Sequence, residues 1–328
     1  MRDLPIYLDY SATTPCDVRV VDVMLPYFST YFGNASSRAH QFGWQAAAAV
    51  EKARQEIAAL VKVEPGEILF TSGATEACNL AIRGVFDQYS SRGNHIITTQ
   101  TEHKAVLDTC KILGKKGAEI TFLRTDESGR VDPLELEAAV RPSTILIAVM
   151  YANNETGVIA PIGEIGRIAE KHDVLFFTDA TQAAGKIPIN VQLDHVHLAA
   201  FSSHKIYGPK GVGALYIRRK GPRVRITPQI TGGGQEKNLR SGTLNVAGIA
   251  GFGAACAICT GEMEQESSRL RELRDRLETA LLKIKGSSLN GDKIHRLPHV
   301  LNSSFEYLNS STILEARHKT LAISSGSA

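Results

Sequence analysis

Phe201-Ser202-Ser203-His204-Lys205-Ile206-Tyr207-Gly208-Pro209-Lys210-Gly211-Val212-Gly213 sets a lysine behind two hydroxyls and an imidazole and ahead of a glycine-rich turn. A lysine ammonium is a strongly hydrated point charge, and at a turn it ordinarily stays in water. Here the turn follows His197–Phe201, an apolar run of the kind that forms a buried strand, so the lysine sits where a sheet ends and a pocket begins. A lysine desolvated in that position can lose its proton and join a carbonyl carbon as a Schiff base. Ser202, Ser203 and His204 are placed to hold a phosphate beside it.

Working outward, apolar runs alternate with helical stripes. Val50, Ala53, Ile57, Leu60 and Val61 recur at helical spacing before a strand at Glu67–Phe70. The pattern then predicts strand His95–Thr99, helix Lys104–Leu113, strand Glu119–Leu123 and helix Pro133–Val140. Strand Thr144–Met150, helix Gly163–His172, strand Val174–Thr178 and strands His197–Phe201 and Ala214–Ile217 complete it. This order predicts an α/β fold with a mostly parallel sheet, helices on both faces, and ligands at the carboxyl ends of the strands. From Glu262 the chain turns to a charged amphipathic helix (Glu262–Lys285) and a strand at Ser303–Tyr307. We therefore expect an N-terminal segment 1–15, a large domain 16–261 and a small α+β domain 262–328.

The residues after each strand carry the chemistry. Thr71-Ser72-Gly73-Ala74-Thr75-Glu76 opens a helix, whose free N–H groups and Thr75 hydroxyl suit an anion, although small polar residues there also serve as plain caps. His103 follows the next strand and can stack on a ring or move protons. Asn153–Gly157 is a polar turn whose amides can meet a ring hydroxyl. Asp179 enters from a buried strand and needs a cationic partner, which a pyridinium nitrogen supplies. A phosphate cradle, a stacking ring, a hydroxyl partner, a pyridinium partner and a Schiff-base lysine on five successive strand ends together indicate pyridoxal 5'-phosphate (PLP).

Other classes fit less well. Gly208-x-x-Gly211-x-Gly213 leads into a strand and lacks the dinucleotide spacing, and no phosphate-binding G-x-x-x-x-G-K-[ST] loop occurs. His195 and His197 share a strand face at i, i+2, but no further ligand pair completes a metal site. A net charge of +3 gives no reason to expect nucleic acid, and the basic run Arg218–Arg225 reads as a solvated hairpin. No apolar run approaches the roughly 20 residues of a membrane span, and the N-terminus lacks a signal-peptide core, so a cytoplasmic protein is expected. The five cysteines, an odd count, argue against a disulfide framework, and Cys256-x-x-Cys259 reads as two buried helix residues.

Taken together, Tyr7–Pro15, Gly33–Ser37, Thr71–Glu76, Thr101–Asp108, Asn153–Gly157, Asp179–Gln182, Ser202–Gly213, Arg240–Thr243 and Ser324–Ala328 resemble the cysteine desulfurases of the IscS/NifS type. The resemblance spans Tyr7 to the last residue. It implies a fold-type I PLP enzyme, homodimeric, with a small domain built from both chain ends. It implies conversion of L-cysteine to L-alanine, with sulfur held as an enzyme persulfide for iron–sulfur scaffold and tRNA-thiolation partners. By position it makes Lys205 the cofactor lysine, His103 the stacking acid/base and Asp179 the pyridinium partner. Asn154 and Gln182 would meet ring substituents, Gln182 at the 3-hydroxyl. Ala74, Thr75, Ser202, Ser203 and His204 would hold the cofactor at its phosphate end, and Thr243 would reach the phosphate of the partner subunit.

The sequence departs from the family pattern in two places. Gln235 stands where many members have histidine. The family reads Ser-Ser-Gly-Ser-Ala-Cys where this sequence reads Ser324-Ser325-Gly326-Ser327-Ala328, so the resemblance puts the nucleophilic cysteine at the next position, and a carboxylate-gripping arginine beyond it. The polypeptide as given is then expected to lack turnover. A PLP-binding, scaffold-docking protein without activity, and a related aminotransferase or selenocysteine lyase, are the alternatives.

Overall fold

The computed structural model describes residues 4–325. In chain order β1 (Ile6–Tyr7), α1 (Val18–Met24), α2 (Pro26–Ser29) and α3 (Gln41–Val61) precede β2 (Ile68–Thr71) and α4 (Ala74–Tyr89). The alternation continues through β3 (His95–Thr99), α5 (Lys104–Gly114), β4 (Glu119–Leu123), α6 (Pro133–Ala138), β5 (Thr144–Ala148), α7 (Ile162–Lys171) and β6 (Leu175–Asp179). Then come β7 (Leu198–Ser202), β8 (Gly213–Ile217), α8 (Val246–Leu281), β9 (Ser287–Leu289), β10 (Ser303–Phe305), α9 (Ser310–Arg317) and β11 (Leu321–Ala322).

The central sheet has the order β2-β8-β7-β6-β5-β3-β4. Neighbours from β7 to β4 are parallel, which requires helical crossovers and buries both faces. Hence Thr144–Ala148 is buried at every residue, as its unbroken apolar run predicts. β8 is antiparallel to both β7 and β2. Only residues 203–212 join β7 to β8, too few for a crossover helix, so the chain turns back on itself. As a result β2, β3, β5, β6 and β7 all end at one edge, and β8 starts there.

α3 packs against α8 on one side of this sheet through Val50, Ala53, Ile57 and Val61 of α3 and Phe252, Ala255 and Cys256 of α8, all buried. α4 and α5 cover the other side. α8 differs from expectation: it is one helix of 36 residues, running through the boundary expected at 261/262. Its composition changes at Glu262 because the helix leaves the core for solvent, and Gly261 alone does not stop it. Its first half is long and apolar enough to cross a membrane by composition, contrary to the sequence expectation, but much of that window is buried inside the protein.

The two chain ends meet, β1 pairing in parallel with β11 (Ile6 with Leu321, Tyr7 with Ala322), while β9 and β10 form a separate antiparallel pair. Gly326, Ser327 and Ala328, the end of the Ser324–Ala328 motif, lie outside the described residues, as do Met1–Asp3 of the N-terminal segment. The Arg218–Arg225 run does close as a hairpin, with the Val224 N–H donating to the Arg218 carbonyl (2.9 Å), but Arg218 itself is buried.

Candidate active site

A cleft of about 1490 Å³ opens at the edge where the strands end, between the sheet and the second half of α8. Of the residues singled out from the sequence, Ala74, Thr75, His103, Asn154, Asp179, Gln182, Ser202, His204 and Lys205 all line it. Five separated strand ends thus converge on one space, as the parallel topology requires.

Lys205 lies in a single 3-10 turn (Ser203–Lys205) directly after β7. Its Nζ donates to the main-chain carbonyls of Ser11 and Ala12, the latter at 2.8 Å, and among the described residues no carboxylate is bonded to it. Burial pushes its ammonium below the ordinary lysine range, and the charges of Asp179 and Asp9 oppose this only in part. Gln182 Nε2 donates to the same Ser11 carbonyl at 3.0 Å.

His204 bonds the Thr13 hydroxyl through Nδ1 at 3.1 Å. Burial, with the charges of Lys205 and Lys210 nearby, pushes it down to about 4, so the ring is neutral at neutral pH. Its carbonyl accepts the Thr14 hydroxyl at 2.9 Å. The stretch Ser11–Thr14 therefore fastens the whole Lys205 turn, a job that the sequence reading did not assign to it.

α4 begins at the cleft with Gly73 as N-cap and no side chain capping it, which leaves its first N–H groups for an anion. Gly73 has φ 154°, and a Cβ built there would meet nothing within 4 Å, so the backbone is open to the cleft. At Gly213 a Cβ would stand 2.6 Å from the Gly73 Cα, so only glycine lets β8 start against this turn. Glu76, in the first turn, lines the cleft with its carboxylate engaged by an ion pair with Arg240 (2.8 Å) and by the Ser72 N–H (2.8 Å).

Asp179 closes β6. Its Oδ1 accepts the Thr181 N–H at 3.0 Å, while Oδ2 has only a long contact to the Cys78 Sγ at 3.8 Å. His103 is the N-cap of α5, with Nδ1 accepting the Ala105 N–H at 3.1 Å, which puts the proton of the neutral ring on Nε2. Asn153 builds the turn after β5, its Oδ1 accepting the N–H groups of Glu155 and Thr156 at 2.9 Å, and so leaves Asn154 at the cleft.

Two expected residues stand apart. Ser203 is fully buried and does not line the cleft, because its N–H bonds Val212 while Gly208 closes on its side chain, where a Cβ would lie 2.0 Å from the Ser203 Oγ. Thr243 is exposed and outside this chain's own cleft. Gln235, at the histidine position, holds the Thr243 turn by accepting the Gly242 N–H at 2.9 Å. The His195–His197 pair is split: His195 bonds Glu170 at 2.9 Å and His197 accepts the Phe176 N–H at 3.0 Å. All five cysteines lie away from the cleft lining, with thiols pushed up by burial, Cys110 to about 12 and Cys259 to about 11. Glu102, buried beside His103, was missed; an acidic residue at a buried strand end is the signal that points to it.

The open cradle at Gly73, the nearly unpartnered Asp179 Oδ2 and the half-buried amine of Lys205 fit PLP at its phosphate, pyridine nitrogen and aldehyde. The family model for aminotransferase class-V matches residues 6–328. The cysteine desulfurase IscS of Anaeromyxobacter sp. (strain K) is 52% identical over 326 residues, covering 99% of this chain and 80% of the relative. The chain belongs to the cysteine desulfurases of the IscS/NifS type. Among solved structures, a NifS-like protein superposes with TM-score 0.92 at 40% identity, covering 97% of this chain and 87% of its own. SspA in complex with cysteine gives TM-score 0.86 at 36% identity, covering 98% and 89%. These desulfurases are PLP-dependent, fold-type I enzymes, in agreement with the mostly parallel sheet and the cleft at its edge.

Proposed function

We propose that the protein converts L-cysteine to L-alanine with PLP and carries the released sulfur as a persulfide toward iron–sulfur cluster scaffolds and tRNA-thiolation acceptors. The observation that carries this reading is Lys205, a half-buried amine with no carboxylate bonded to it among the described residues, in one cleft with Asp179 in a chain whose relatives are cysteine desulfurases. A structural neighbour that is a complex with cysteine supports the substrate.

PLP supplies an electron sink for charge that develops on the substrate carbon. Lys205 would hold the cofactor through Nζ, and its amine would serve as the base at the cleft for the α proton. The Asp179 Oδ2 would keep the pyridine nitrogen protonated. His103 would stack on the ring and exchange a proton at Nε2. Gln182 would meet the ring 3-hydroxyl, and Asn154 a second substituent. The first N–H groups of α4 at Ala74 and Thr75, with Ser202 and the neutral His204, would hold the phosphate.

The thiol that takes the sulfur is not one of Cys16, Cys78, Cys110, Cys256 and Cys259, since none lines the cleft. Exposed Val18, Leu25, Phe28, Phe32, Phe42 and Trp44 form an apolar surface on α1–α3 that supports a homodimer, with Thr243 reaching the partner's phosphate. In this reading residues 1–15 and 262–328 form the smaller domain and residues 16–261 the larger, in a cytoplasmic enzyme that contacts neither membrane nor nucleic acid.

The test mixes the PLP-loaded protein with L-cysteine. A change in cofactor absorbance is expected. Steady keto-acid formation would favour an aminotransferase, and an unchanged spectrum would overturn the substrate assignment.

A further inference from the structure

Glu102 is a buried carboxylate just behind the cleft that the chemistry above does not use. It follows β3, next to His103, and is 6% exposed. Its Oε1 accepts the Met150 N–H at 2.6 Å and the Thr99 hydroxyl at 3.3 Å. Its Oε2 is buried with no partner. The titratable groups that face it are Asp179 from the end of β6, Cys78 from α4 and Cys110 from α5, and no cation is among them.

A buried carboxylate oxygen without a donor, next to a second carboxylate and without a counter-ion, is an expensive place for a charge. The cheapest way out is to keep the proton on one of the pair. Asp179 has a donor in the Thr181 N–H and faces the cleft, whereas Glu102 is sealed behind it. Burial, with the charge of Asp179 adding to it, pushes Glu102 up to about 8.

We propose that Glu102 is a positioning residue that stays protonated in the working protein, holding the ends of β3 and β5 together and leaving Asp179 as the charged member of the pair. The Met150 N–H is the hinge of this arrangement. Through it Glu102 ties the strand end that carries His103 to the strand end that leads into Asn154. The proposal rests on the PLP reading only for its consequence at the cofactor; the protonation itself is a property of the chain alone.

Two measurements test it. The first is the infrared difference spectrum of the protein without cofactor, wild type minus Glu102→Gln, followed from about pH 6 to about pH 10. A carbonyl stretch of a protonated carboxylic acid should be present in the wild type at the low end, absent in the variant, and lost as pH rises. Only a carboxylate band at about pH 6 would overturn the proposal. The second is the pH titration of the cofactor absorbance in PLP-loaded wild type, Glu102→Gln and Glu102→Ala. Glu102→Gln, neutral and of the same shape, should keep the wild-type midpoint, while Glu102→Ala, which frees the Met150 N–H, should release PLP at least tenfold faster. A midpoint moved by a pH unit or more in Glu102→Gln would overturn the proposal, because it would mean that a charge had been removed. Failure of the wild type to show any cofactor band would count against the PLP reading, and the infrared result would still decide Glu102.

Discussion

At Lys205 the protein half-buries an amine and bonds it to main-chain carbonyl oxygens, so the ammonium form is penalised while the amine stays positioned by Ser11 and Ala12. A carboxylate in that position would do the opposite and fix the charge. His103 has a different constraint, because its Nδ1 is engaged by the cap of α5 and only Nε2 can exchange a proton. Replacement of His103 by glutamine should leave PLP bound, since Lys205, Asp179 and the α4 cradle are untouched. It should slow exchange of the α proton of L-alanine into deuterated water, followed by NMR, by about 10²-fold or more. Unchanged exchange would remove His103 from proton transfer. Lys205 and Asp179 were readable from the sequence because each is a charged residue where an apolar run stops. Ser203 was not separable from Ser202, since nothing in two adjacent serines says which one Gly208 will cover.

The elements that carry these residues are pinned by buried polar contacts. Glu236 reaches under β2 to pair with Arg54 of α3 at 2.8 Å and to accept the Phe70 N–H at 2.8 Å, with both side chains nearly dry. Glu236→Ala would leave the buried guanidinium with only the solvent-exposed Glu51 carboxylate as an ion-pair partner among the described residues, and should cost about 3 kcal/mol in urea unfolding. At the other end of the sheet the neutral ring of His197 accepts the Phe176 N–H, and burial pushes its pKa from 6.5 to about 4. Between those values the unfolded chain binds a proton that the folded chain refuses, so stability falls as pH falls from about 6.5 toward 4. His197→Asn, which keeps an acceptor but does not titrate there, should lose about 2–3 kcal/mol less over that window in the same unfolding measurement. Most strand and helix positions were legible from periodicity, because a buried parallel strand and an amphipathic helix each impose their own spacing. The antiparallel β8 and the continuous α8 were not. Strand direction depends on the length of a connection, and a helix that passes from core to solvent changes composition without ending.

Across the whole molecule the site is incomplete without a second copy if Thr243 works where its exposure suggests, and the apolar face of α1–α3 is the surface on which that copy would sit. Charging it with Phe28→Asp and Phe32→Asp together should halve the mass seen by light scattering and weaken PLP retention. A mass unchanged by the double variant would place the contact elsewhere. The expectations at the cofactor depend on one bond, between it and Lys205. The direct measurement is borohydride reduction of the PLP-loaded protein followed by peptide mass spectrometry. The account predicts a single phosphopyridoxyl group, on Lys205, and none in Lys205→Ala, which should also lose the yellow absorbance. A reduced cofactor on another lysine, or colour that survives in Lys205→Ala, would contradict it.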